Sequence, residues 1–326
     1  MNKFIIITTI NPKSEGIARF ERMDGWNIVV VGDKKSQPIA SSSSLSFLSV
    51  NDQMKLGYDL VDVCPYNHYA RKNIGYLYAM QHGAEVIYDT DDDNLPYDSW
   101  RLYDFVCSRK IVSALKFVNI YKYFTEELIW PRGYPLADIH KGTTLGSEEI
   151  PPVEVGIWQG LADNDPDVDA VYRLAINKRV RFEDNPPVVL ERGHYCPINS
   201  QNTFWSKKTF PYLYLPATTS FRFTDILRGY IAQRLLWEQN LRLGFTGATV
   251  YQERNEHELM RDFEDEVECY LHTKPIVSLL GSLNLTSEPV SNLMAVYDSL
   301  VDNGLVSTKE LITLQAWLSD LRKFHE

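Results

Sequence analysis

The feature that most constrains this chain is an alternation, through its first hundred residues, of short β-branched runs and helical stretches, each run ending on polar side chains. Phe4 to Ile10 reads as a strand closed by the turn pair Asn11-Pro12. Glu15 to Met23 has helical spacing, with Ile17, Phe20 and Met23 near one face. Trp26 to Val31 is a second strand stopped by Gly32-Asp33, and Ser41 to Ser44 is a polar loop. Arg71 to Gln81 predicts a helix, because Ile74, Leu77 and Tyr78 fall at i, i+3 and i+4. Glu85 to Tyr88 is the third strand. Strands alternating with helices predict an α/β fold with a parallel sheet, and such sheets bind ligands beyond the carboxyl ends of their strands. Asp33 and the carboxylates after Tyr88 lie at such ends.

Those carboxylates form the run Asp89-Thr90-Asp91-Asp92-Asp93-Asn94. Four negative charges within five residues repel one another unless a cation neutralises them. On extended backbone Asp89, Asp91 and Asp93 point one way and Asp92 the other. Clustered hard oxygen donors suit Mg²⁺, Mn²⁺ or Ca²⁺ rather than zinc. An EF-hand loop is excluded, since its sixth and twelfth positions are Asn94 and Trp100. The alternative is a solvated acidic loop. Chemistry that uses such a run beside a parallel strand is transfer from a nucleotide-sugar, where a metal held by D-x-D carboxylates bridges the diphosphate and stabilises the departing nucleotide. No G-x-x-x-x-G-K-[ST], G-x-G-x-x-G or G-x-S-x-G sequence is present to support a P-loop NTPase, a dinucleotide fold or an α/β-hydrolase.

The net charge of −10 disfavours a nucleic-acid coat or an anionic-membrane binder, both of which need a basic footprint. No apolar run approaches the about 20 residues needed to span a bilayer, and Phe4 to Ile7 lacks the features of a signal peptide. Cys64, Cys107, Cys196 and Cys269 are far apart in sequence and read as buried hydrophobes in a reducing compartment. These features predict a soluble, cytoplasmic protein; homo-oligomerisation stays open. Pro131 to Pro135, Pro151-Pro152, Asp163 to Asp169 and Pro186-Pro187 carry loop signals, and Thr224 to about Arg242 predicts a long helix. Residues 253–268 hold eight acidic and two basic side chains, with Leu259, Phe263 and Val267 every four residues; this predicts an amphipathic helix with a solvated acidic face. Leu293, Val296, Tyr297, Leu300 and Val301 form a helical stripe ending at Asn303-Gly304. Ser307 to Glu310 has the form of a capping box opening a last helix. This tail reads as packing, with little polar chemistry.

Several segments, taken together and in order, resemble the STELLO-type glycosyltransferases and, more distantly, the reversibly glycosylated polypeptides (UDP-arabinopyranose mutases). They are Thr8-Thr9-Ile10-Asn11, Arg71-Lys72-Asn73-Ile74-Gly75-Tyr76-Leu77-Tyr78-Ala79, Asp89-Thr90-Asp91-Asp92, and Trp130-Pro131-Arg132-Gly133-Tyr134-Pro135. Asp165 to Ala170, Pro197 to Thr203 and, most strongly, Thr224 to Tyr230 with Ala232 to Glu238 complete the set. The resemblance implies a GT-A fold, a Rossmann-like nucleotide-diphospho-sugar transferase domain over residues 1–255 with a C-terminal helical extension over 256–326. It also implies UDP-sugar as donor, Mn²⁺ or Mg²⁺ as cofactor and an unidentified acceptor. The membrane location and partners of the plant STELLO proteins are not carried over.

Within that reading Asp89, Asp91 and Asp93 are the expected metal-binding carboxylates, Asp89 having ribose as its alternative and Asp92 or Asp93 helping through water. Thr8, Thr9, Asn11 and Asp33 fit uracil and ribose contacts, although turn chemistry explains Asn11 and Asp33 equally well. Arg71 and Asn73, at a helix start, fit diphosphate or base, with Gly75 allowing close approach. Asp167 and Asp169 fit sugar or acceptor hydroxyls, or else an Asx-turn cluster. Asn199, Gln201 and Asn202 fit sugar hydroxyls, and Arg228 joins this binding set. Arg132 matches an arginine implicated in glycosyl handling in the mutase family and reads as a fixed cation near the diphosphate. Asp225 is the candidate acceptor-side base, with helix N-capping by Thr224 or Asp225 as the competing role. A late metal-binding histidine, common in GT-A enzymes, has only His194 and His257 as candidates. Two further functions stand beside a transferase: a UDP-sugar mutase or self-glycosylating protein, and a non-catalytic scaffold of the same fold.

Overall fold

The structure, a computed structural model, describes residues 1–141, 145–253 and 258–324. It is α/β. Strands β1 (Lys3–Thr8), β2 (Trp26–Val31), β3 (Leu45–Leu48) and β4 (Val86–Thr90) precede β5 (Asn94–Pro96), β6 (Val106–Val112) and the long β7 (Gly146–Asn164). Then come β8 (Val188–Val189), β9 (Asn202–Ser206) and β10 (Arg242–Gln252). The helices are α1 (Glu15–Phe20), α2 (Val50–Met54), α3 (Asp59–Val63), α4 (Lys72–Gln81), α5 (Tyr121–Phe124) and α6 (Ala170–Ala175), followed by α7 (Thr224–Leu236) and three last helices, α8 (Leu259–Ser282), α9 (Pro289–Asp302) and α10 (Glu310–Lys323).

The ten strands of the described residues form one mixed sheet in the order β3-β2-β1-β4-β9-β7-β6-β8-β10-β5. The first four are parallel, as the alternation predicts, while β9 joins β4 antiparallel. A parallel-only sheet is therefore too simple. Strand β3 follows the polar loop directly, and β7 carries Pro151 and Pro152 on its outer half, where both are exposed and cost few ladder bonds. Order 3-2-1-4 reverses direction between β1 and β4. A crevice opens at such a switch point, outside the carboxyl ends of the strands.

Side chains alternate across the central strands into two cores. Phe4, Ile6 and Ile87 meet α4 and α7 on one face, and Ile5, Ile7 and Tyr88 meet Trp26, Trp100 and Phe204 on the other. Gly75 belongs to this packing rather than to the crevice: a Cβ there would stand 2.6 Å from Val31 and 2.7 Å from Ile6, so its lack of a side chain lets α4 lie flat on β1 and β2.

The three last helices are held by buried carboxylates as well as by apolar stripes. Glu310 is no capping-box residue; it accepts from Tyr214 Oη, from the Ala217 and Thr218 amides at 2.8–3.0 Å, and from Thr218 Oγ1 at 2.7 Å. Asp320 accepts the Asp59 and Leu60 amides, both at 2.9 Å, at the start of α3. On α8 the acidic face is not simply solvated: Glu266 is fully buried, while Val267 and Leu271 are exposed. Charge paired across the interface outweighs the apolar spacing there. The four cysteines are buried and unpaired. No helix among the described residues is long and apolar enough to cross a membrane.

Candidate active-site cleft

A cleft of about 550 Å³ opens at the β1/β4 switch point. One wall is built by the ends of β1 and β2 with the segment before α4: Thr8, Thr9, Asn11, Asp33, His68 and Arg71. Asp91, Asp92 and Asp93 form the floor, and Arg132, Asp167, Asn199, Gln201, Arg222 and Asp225 the far wall. Residues separated by more than two hundred positions thus converge on one space.

Strand β4 ends at Thr90 and the chain turns over Asp92-Asp93, so the extended alternation stops short. As a result Asp92 joins Asp91 and Asp93 at the cleft, and Asp89 does not. Asp92 accepts from Thr9 Oγ1 and, at 3.2 Å, from Asn11 Nδ2, while its carbonyl accepts from Ser14 Oγ, the N-cap of α1. Asp91 Oδ1 accepts from Tyr69 Oη at 2.7 Å and Asp93 from Gln252 Nε2 at 2.8 Å. Withdrawal from water pushes the Asp91 carboxyl up to about 7, even with Lys72 Nζ 3.5 Å away.

Asp89 is fully buried between two cations, Lys72 Nζ at 2.6 Å and Arg228 Nη1 at 2.9 Å. Arg228 also donates to Tyr76 Oη and Ser200 Oγ and lies over the Trp205 ring. Lys72 donates to the Thr90 carbonyl at 2.7 Å. The expected metal or ribose contact at Asp89, and the binding role of Arg228, give way to this ion network beneath the floor. Asn73 also lies off the cleft wall, exchanging two 2.8 Å bonds with the Leu215 backbone. Asp169 caps α6 through the Tyr172 amide and takes the Trp130 indole N–H; burial pushes its carboxyl up to about 6. Arg71 reaches the cleft but spends its guanidinium on Gln53 and the Cys64 carbonyl.

On the far wall Arg132 is gripped by two carboxylates, Asp167 at 2.8 and 2.8 Å and Asp225 at 3.0 and 3.0 Å. Two forked pairs fix the plane of the guanidinium. Burial opposes its charge, but Asp167 and Asp225 more than compensate and secure it. Asp225 is neither the N-cap of α7, a position held by Phe223, nor poised as a base. Burial works to raise its carboxyl, yet Arg132, Arg228 and Arg222 outweigh burial and hold it below the usual range. A carboxylate so held has little affinity for a proton; its geometry suits the orienting of Arg132.

Among the described residues no three Asp, Glu, His or Cys side chains form a ready metal cage. His194 lies off the cleft, 2.8 Å from the Leu115 carbonyl, and His257 lies outside the described residues. The donor chemistry at the floor nevertheless fits a hard cation. Mg²⁺-type sites use one or two carboxylates and complete their shell with water and substrate phosphate. Lys72, Tyr69, Arg222 and Phe221 were not singled out by sequence. The first two lie one helical turn apart beside Arg71, so the spacing was visible although the partner Asp91 was not.

The C-terminal part of the chain, residues 222–325, matches the family model of the STELLO glycosyltransferases. Over 346 residues, 98% of this chain, it is 30% identical to "Probable glycosyltransferase STELLO1" of Arabidopsis thaliana, and 27% identical over 350 residues to "Probable glycosyltransferase STELLO2" of the same plant. The chain spans 44% of the length of each of these relatives. Taken together, the matches make the chain similar to STELLO glycosyltransferases along almost its whole length.

Proposed function

We propose that the cleft binds a nucleotide-sugar, with UDP as the nucleotide, and that the protein transfers the sugar to an acceptor with a divalent ion, Mn²⁺ or Mg²⁺, at the cleft floor. The single observation that carries this reading is the placement of Asp91, Asp92 and Asp93 at the β1/β4 switch point, open to a cleft large enough for a small organic ligand. The family match supports the chemical class, and strand order 3-2-1-4 supports a GT-A-type nucleotide-binding half.

In this proposal Thr8, Thr9, Asn11 and Asp33 receive the base and ribose. Asp91 and Asp93 hold the cation, which when bound offsets the charge of the departing diphosphate. Asp92 instead locks Thr9 and Asn11 in place. Arg132, whose N–H groups are taken up by Asp167, Asp225 and the Arg222 carbonyl, holds the shape of the far wall, and Asn199 and Gln201 offer hydrogen bonds to hydroxyls. Asp89, Lys72 and Arg228 hold the floor from below.

The test is a thermal-shift panel of UDP-sugars and GDP-sugars with and without Mn²⁺. UDP species stabilise the wild type in a Mn²⁺-dependent way, and Asp91→Asn removes the effect. Equal stabilisation in that variant overturns the assignment of the floor.

A further inference from the structure

Two large apolar side chains, Ile10 and Phe221, line the cleft while mostly exposed, and of these only Phe221 is aromatic. Phe221 lines the cleft yet is 53% exposed. Its ring stands edge-on to Tyr69, centroids 5.4 Å apart at 64°, and Tyr69 donates to Asp91. The aromatic face therefore sits one residue from the acidic floor, among hydrogen-bonding side chains. Buried cores, not polar clefts, are where phenyl rings stabilise a fold.

The segment carrying the ring is fixed at almost every residue. Ser220 donates its amide to Glu268 at 2.9 Å and its hydroxyl to the Asp265 carbonyl at 2.5 Å. Arg222 makes two bonds to Glu266, at 2.8 and 2.9 Å. Thr219 meets His68 through its carbonyl and Thr224 through its hydroxyl, and Ala217 and Thr218 are held by Glu310. Helices α8 and α10 thus hold the backbone that carries this exposed ring, which lowers the ordering cost of a ligand lying on it.

We infer that Phe221 is a stacking platform for a pyranose ring, with Arg222, Asn199 and Gln201 taking the hydroxyls around the ring's edge. A sugar has one apolar C–H face and a polar rim, the complement of this surface. The base has its own expected place on the opposite wall, where Thr8, Asn11 and Asp33 lie. The inference rests on the nucleotide-sugar reading and deepens it. The ring is either that of the donor sugar or that of an acceptor.

Calorimetry on the full chain with Mn²⁺ separates these sources, using UDP, UDP-glucose, UDP-galactose and methyl β-D-glucopyranoside as probes. If the donor sugar is stacked, Phe221→Ala weakens UDP-glucose or UDP-galactose about tenfold and leaves UDP unchanged. If an acceptor is stacked, the same variant weakens the free glycoside and leaves the UDP-sugars unchanged. In either case Phe221→Trp retains affinity. Unchanged binding of every sugar probe in Phe221→Ala overturns the platform while UDP binding preserves the nucleotide reading. Glycoside binding that depends on Phe221, in a protein that ignores UDP, supports the platform and removes the nucleotide reading. No binding of any probe overturns both.

Discussion

Two groups of carboxylates in this protein contain the same chemistry and have opposite fates. Asp89, Asp169, Glu266, Glu310 and Asp320 are fully buried, and each is consumed by cations or backbone amides. Asp91, Asp92 and Asp93, beginning only two residues after Asp89, face the cleft at partial exposure. What separates the groups is not residue type or local sequence but whether packing elements close over the carboxylate or leave it at the edge of the cleft. Buried carboxylates act as sockets that join elements, whereas those of the floor stay within reach of a ligand in the cleft.

The comparison breaks most severely at Asp89. Asp89→Asn leaves Lys72 and Arg228 without a counter-charge in a dry site, and chemical denaturation should show a loss of about 3–5 kcal/mol. A milder outcome, below about 1 kcal/mol, would mean that the pair behaves as though solvated. Glu310→Ala comes next. It strands the Ala217 and Thr218 amides and should destabilise by about 1–3 kcal/mol in urea, while loosening the segment that holds Phe221.

At the floor the expected change is in pH dependence and binding rather than in folding. The Asp91 carboxyl is raised from 3.8 to about 7 in the folded protein, so between these values the native state holds a proton that the unfolded chain has released. Its contribution is therefore fully present below about pH 4 and is lost as the pH rises towards 7. Melting curves of Asp91→Asn should be flatter than wild type across that window; identical slopes would remove Asp91 from the account. Smallest is the effect of Phe221→Ala on stability, expected within about 0.5 kcal/mol because the ring is exposed, even where sugar binding falls.

Much of the N-terminal half was legible because its signals are local. Phe4 to Ile7 and Trp26 to Val31 announce strands, Ile74, Leu77 and Tyr78 a helix, and the turn residues mark where ligand-facing ends lie. The tail stripe through Leu300, ending at Gly304 with φ +66°, was equally plain. Harder were β3, β7 and β9, whose Ser, Pro and Asn content reads as loop until neighbouring strands supply their hydrogen bonds. The candidate site divided along the same line: Thr9, Asp33 and Asp91 could be placed from strand ends alone, while Asn73, Asp89, Asp169 and Arg228 matched motifs yet serve as internal ties.

Sequence by itself determined the alternating α/β plan, the acidic run at a strand end and the family resemblance, since each rests on periodicity or on order along the chain. Only the tertiary structure decided which acid meets which base. Lys72 and Arg228 close on Asp89 from helices on either side of it in sequence, and Arg132 is gripped by Asp167 and by an Asp225 that is 93 positions away. Electrostatic partners are chosen by distance in space and by the water left between them, and neither quantity is written in the spacing of residues along a chain.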